Sequence, residues 1–271
     1  MKAEQLALAL RPRSGFEAAD LGVRMVQAAH RSLLRAWLPL ALLLVLACGA
    51  TVELAPWAPP LLLMWAKPLL EGPLLRIFAR LAFGESTTLA QLWRGAPAPP
   101  RGHLLRRLLW ARLSPVRAFT LPVALLEGQP GTARRRRQQQ LLQGQYATAF
   151  GLQFTFSLME WVLMLGGMLL AVAVVPELEF GDLLAGTGLG NGPARSGGLA
   201  ALGTYLPYAL AVVFLEPFFI AAGFGLYLNR RVELEAWDVE QALRDAFAVP
   251  DPAAPAPAPA PASPMPHAEG A

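Results

Sequence analysis

The sequence predicts an all-α integral membrane protein with about four transmembrane helices in two hairpins, accompanied by interfacial amphipathic helices. Three observations predict it. Hydrophobic residues make up 55% of the 271 residues and charged residues only 15%, where soluble domains hold about 25% charged. The apolar residues are bunched into runs that match the roughly 20 residues a helix needs to cross a bilayer. Arginine is concentrated in particular connecting segments. Together these exclude an ordinary soluble enzyme, a disulfide scaffold and a fully disordered chain. Cys48 is the lone cysteine, so neither an intrachain disulfide nor a Cys-based zinc site can form.

Residues 1–36 predict a cytoplasmic, interfacial amphipathic helix. Ser14-Gly15-Phe16-Glu17 is a capping box, in which serine and glutamate each satisfy a free backbone amide. Phe16, Ala19, Val23 and Val26 then share one face, with His30 on the apolar side, while Arg24, Arg31 and Arg35 share another. A basic amphipathic helix leading into a span reads as surface-lying.

Residues 37–83 predict the first transmembrane hairpin, Trp37 to Leu54 and then about Pro59 to Phe83, the latter interrupted by Lys67, Pro68, Glu71, Gly72 and Pro73. Val45-Leu46-Ala47-Cys48 loosely matches a lipoprotein cleavage box, but Leu46 is bulky and a long basic segment precedes it. Secretory signals are normally about 15–30 residues in all, so the run is read as a retained anchor.

Residues 84–149 form an arginine-rich cytoplasmic and interfacial segment, with ten arginines against Glu85 and Glu127. Leu104, Leu105, Leu108 and Leu109 oppose Arg106 and Arg107, the pattern of a helix in the interface. Val116 to Leu126 is either re-entrant or surface-bound, and the residues leave both open. A fifth span here would move Arg134–Arg137 outside, against the rule that basic residues near span ends stay cytoplasmic.

Residues 150–228 predict the second hairpin, about Phe150 to Val175 and Ala200 to Leu228, joined by a loop with Glu177, Glu179 and Asp182 against Arg195. Residues 229–248 continue as a cytoplasmic helix with Val232, Val239, Leu243 and Ala246 on one side. Residues 249–271 are an Ala-Pro tail with no means of forming helix or sheet, expected to be disordered. The loop charges place both termini in the cytoplasm, and the expected location is a bacterial inner membrane.

The second and fourth spans align. Trp65-Ala66-Lys67-Pro68-Leu69-Leu70 matches Phe214-Leu215-Glu216-Pro217-Phe218-Phe219, with a charge before a proline at the same depth. Both halves begin inside, so the implied repeat is parallel, about an axis along the membrane normal.

Ionisable groups at membrane depth are costly and are functional candidates by default. Here they are Lys67, Glu71, Glu160 and Glu216. Lys67 and Glu71, four apart, lie one turn from each other and can pair directly. The repeat brings Glu216 near Lys67. A neutralised structural cluster, a proton relay and a polar ligand site all fit these residue types. Arg134, Arg135, Arg136 and Arg137 form the densest charge run, a candidate contact for anionic lipid head groups or a plain topology signal. Interleaved stacking aromatics are missing, which argues against nucleic acid. His30, His103 and His267 have no ligand-spaced partners, so no metal is expected. Gly186-Thr187-Gly188-Leu189-Gly190 alternates glycine but lacks the strand–helix context and lysine of a phosphate loop. No catalytic motif and no cofactor signature is present.

Ala221-Ala222-Gly223-Phe224-Gly225-Leu226-Tyr227-Leu228-Asn229-Arg230-Arg231-Val232-Glu233-Leu234-Glu235-Ala236-Trp237-Asp238-Val239-Glu240 resembles the ending of a large group of uncharacterised bacterial multi-pass membrane proteins. That group includes the membrane domain of some glycerophosphodiester phosphodiesterases. The opening Leu10-Arg11-Pro12-Arg13-Ser14 is similar to theirs too. The resemblance implies a helical membrane module, in a group whose members often have six spans. No catalytic residues carry over, because the fused phosphodiesterase domain has no counterpart here. The expected function is therefore non-enzymatic, a scaffold or partner of other membrane proteins. The alternative is a small transporter or lipid-handling protein using the Lys/Glu cluster.

Overall fold

A computed structural model describes residues 14–85, 87–94, 114–129, 131–186 and 197–235. Among these residues the regular structure is all helical. The predicted interfacial helix around Leu104–Leu109, the glycine-rich 186–190 loop beyond its first residue, the cytoplasmic helix past Glu235 and the Ala-Pro tail lie outside the described residues.

The first helix, α1 (Gly15–Ala28), opens on the expected capping box: Ser14 Oγ accepts from the Glu17 amide (3.3 Å) and Glu17 Oε2 accepts from the Ser14 amide (3.2 Å). Ser14→Ala should lower stability by about 1 kcal/mol, and faster amide exchange confined to the first turn of α1 would check it. The helix does not present the face its sequence suggests. Ala18, Gly22, Met25 and Val26 are buried, whereas Phe16 is 92% exposed. His30, just past its end, is exposed and its Nδ1 bonds the Gln27 carbonyl. Of the predicted apolar face Val26 is buried, Ala19 and Val23 are half-buried and Phe16 points out; the inward stripe adds the small residues Ala18 and Gly22, and its partner is the last long helix rather than open interface.

After a break at Ala29 the chain runs as α2 (His30–Glu53), with a π-turn over Leu33–Trp37 and a tightened 3₁₀ turn over Ala50–Glu53. The π-turn sets Trp37 inward, where its indole N–H donates to the Leu70 carbonyl (3.3 Å). A tight turn then reverses the chain into α3 (Ala58–Ala82), which keeps helical form through Pro68 and Pro73. Short α4 (Leu89–Arg94) and α5 (Arg117–Leu125) follow, then α6 (Gly131–Leu142), α7 (Tyr146–Val174), α8 (Phe180–Gly186) and α9 (Gly197–Glu235).

Three of these helices, α2, α7 and α9, are long and apolar enough to cross a membrane. The sequence reading expects a fourth at α3. Its 25 residues span about 37 Å as helix, enough for the hydrocarbon core. Lys67, Glu71, Arg76 and Arg80 make its composition more polar than that of the other three.

α9 is the axis of the molecule. α1, α3, α5 and α7 all pack on it. One core gathers Phe78, Phe119, Phe224 and Tyr227 with the small residues of α1, and a second, at the other end, gathers Leu63, Met168, Leu183 and Val212. Tyr205 closes the second end by donating its hydroxyl to the Val45 carbonyl (2.5 Å), and Thr204 donates to the Leu183 carbonyl (2.9 Å). α7 lies at the rim: 11% of its apolar stretch is buried within the protein, against 78% for α9.

Candidate functional site

Between the two cores lies a ring of charge. Lys67 of α3 donates through Nζ to Glu160 Oε2 of α7 (2.6 Å) and pairs with Glu216 Oε2 of α9 (3.1 Å). Glu160 lies at the midpoint of α7, and Glu216 at the midpoint of the apolar stretch Gly198–Leu234 of α9. A lysine bridging two span midpoints sits at the depth where charge is most costly and where a partner is most needed. Lys67 and Glu216 are buried, and Glu160 is half-buried.

The direct Lys67–Glu71 pair expected from their spacing is not formed. One turn along α3, Glu71 instead meets Arg117 Nη1 at 3.3 Å. Spacing on one helix says only that two side chains can reach each other. Here facing helices supply Lys67 with two carboxylates, and α5 supplies Glu71 with its own cation. Arg117 completes the charged cluster, and it is absent from the set of candidates that the sequence offers. It lies at the start of α5, which packs into the bundle with Ala118, Phe119, Pro122 and Val123 buried. Its guanidinium also stands 5.2 Å from the Phe219 ring centroid, a cation–π geometry. A lone arginine at the head of the apolar run Val116–Leu126, beside a set of three carboxylates served by one lysine, is the signal that points to it.

The five groups comprise two cations and three carboxylates. They enclose very little space. Lys67, Arg117, Gln153, Ser157, Glu160 and Glu216 are among the residues lining a cavity of about 10 Å³, room for about one water. Arg117 Nε, Gln153 Oε1 and Glu216 Oε1 are buried and make no hydrogen bond within the protein. Glu71 Oε1, in the same cluster, is also buried without a hydrogen bond.

The arginine run is not one patch. α6 holds all four, and the helix divides them. Arg137 donates from Nε to Glu127 Oε2 (3.1 Å), while Glu127 Oε1 accepts from the Tyr227 hydroxyl (2.8 Å). Arg134 is half-buried, and Arg135 and Arg136 are exposed. Arg136 and Arg137 line an open basin of about 670 Å³ together with Arg231 of α9. The tie from Tyr227 to Glu127 is a second feature the sequence does not announce.

No family model, curated protein or solved structure matches the chain. The resemblance to the bacterial membrane group rests on the residues quoted for it.

Proposed function

We propose that this chain is a non-enzymatic scaffold of a bacterial inner membrane, a four-span bundle with both termini in the cytoplasm that holds other membrane proteins. The observation that carries this reading is the internal pairing of the charged cluster. Each of its three carboxylates has a cation of the protein as its partner, and the space lined by Lys67, Arg117, Glu160 and Glu216 has room for about one water. The rim helix α7 offers an outward face that carries Phe154, Leu158, Trp161 and Leu165 toward lipid or a partner helix. The four-span layout is supported by Lys67, since a side chain that meets the midpoints of α7 and α9 puts α3 at their depth. With α2 and α3 joined by a tight turn, the arginine-rich segments then fall on one side, as the rule for cytoplasmic loops requires.

A photo-crosslinking residue placed at Leu158 or Trp161 should give discrete protein adducts in intact membranes. The same probe at Met168, buried against α9, should give none. Adducts to lipid alone from Leu158 and Trp161 would overturn the scaffold reading.

A second reading, a small transporter or lipid-handling protein, has one observation in its favour. Three carboxylates against two cations leave the ring one formal negative charge in excess, and a proton is the ligand that neutralises it.

A further inference from the structure

We infer that the basin between α5, α6 and α9 is a binding site for the phosphate of an anionic phospholipid head group. The inference rests on the membrane reading alone and not on what the bundle holds.

The site is assembled from separate parts of the chain. On α6, Ala133, Arg136, Arg137 and Gln140 recur at i, i+3, i+4 and i+7 and so share a face, and all four line the basin. α9 contributes Arg231 from the facing side, and the stretch after α5 contributes Glu127. Among the described residues Glu127 is the one carboxylate on the wall. It is already engaged by Arg137 Nε and by the Tyr227 hydroxyl, and it holds that guanidinium at the rim of the basin. Among the described residues three arginines line this wall against one carboxylate, and the planar guanidinium takes two phosphate oxygens at once. Gln140 and Thr132 add neutral donors, and the volume of about 670 Å³ lies within the range of pockets that hold small polar molecules.

Depth decides between a lipid and a free anion. Arg231 lies fifteen residues past Glu216 on one continuous helix, about 22 Å along its axis. With Glu216 at the centre of its apolar stretch, Arg231 reaches the plane of the head groups, since half a bilayer including that layer is about 20–22 Å. Basic pockets beside membrane helices at this level bind lipid head groups.

The test uses the full-length protein in non-ionic detergent, with lipid adducts followed by native mass spectrometry. Dioctanoyl phosphatidylglycerol should be retained, and dioctanoyl phosphatidylcholine should bind about tenfold more weakly, for want of net charge on its head group. Arg136→Gln should weaken the phosphatidylglycerol adduct by about tenfold, the loss of one charge-assisted contact. Arg135→Gln, next to it but outside the lining, should leave binding unchanged. Arg136 and Gln140 are exposed, so neither is needed for folding, and Gln140→Glu should reproduce the loss by adding a carboxylate. Equal effects of Arg135→Gln and Arg136→Gln would reduce the basin to diffuse surface charge and overturn the assignment. Displacement of phosphatidylglycerol by an equal concentration of inorganic phosphate would reassign the ligand to a free anion and equally overturn the lipid.

Discussion

Lys67→Met is expected to destabilise the protein by about 3–5 kcal/mol, the usual cost of removing one partner from a buried ion pair. Lys67 is the direct partner of Glu216, whose side chain is 2% exposed, and of Glu160, which is 19% exposed. Without the lysine, both carboxylates remain at the centre of their spans with only Arg117 nearby. The pattern of rescue distinguishes the partners, as the loss alone does not. In the Lys67→Met background, Glu216→Gln should recover most stability, because it removes the charge with least access to water. Glu160→Gln should recover less, since its carboxylate keeps some exposure. Glu71→Gln should recover none, because Glu71 answers to Arg117 at 3.3 Å and its loss would strand that cation too. Thermal unfolding of the four proteins in one detergent checks the order. Rescue by Glu71→Gln and not by Glu216→Gln would mean that the pair one turn apart on α3 is the real one, and would dissolve the ring.

That order also separates what the sequence carries from what only the fold supplies. The spans are legible because a run of some 20 apolar residues has few other places to be, and α7 lies within a few residues of the stretch that hydropathy marks. The capping box is legible because both its hydrogen bonds are local. The approach of Glu216 to Lys67 is implied by a charge-before-proline match between two segments. Arg117 is not legible in the same way. It belongs to the segment 84–149 that holds ten arginines, and an arginine in a basic segment reads as a topology signal until α5 folds back against α9 and brings it to Glu71. The docking face of α1 is missed for a different reason. Hydrophobic periodicity weights Phe16 and Val23 and gives almost nothing to Ala18 and Gly22, yet helices in apolar surroundings pack through their small residues.

Gly22→Val should therefore cost about 3 kcal/mol, near the upper end of overpacking penalties. A Cβ on Gly22 falls 2.5 Å from both the Cα and the amide nitrogen of Ala222. The obstacle is backbone, which has no rotamer to change, so the helices must separate. Across the same crossing a Cβ on Gly225 would strike the Ala18 carbonyl oxygen, so the contact is tight from both sides and neither helix has slack to give. Gly166→Val is the matched control, because a Cβ there meets nothing within 4 Å, and its cost should be near zero. Unfolding midpoints in detergent give the difference, and amide exchange over Gly15–Ala28 locates it. If α1 merely floated on the membrane surface, as Arg24 and Phe16 suggest, the two valines would behave alike and exchange in α1 would be fast in the unaltered protein. Slow exchange lost only in Gly22→Val requires α1 to be a docked part of the bundle.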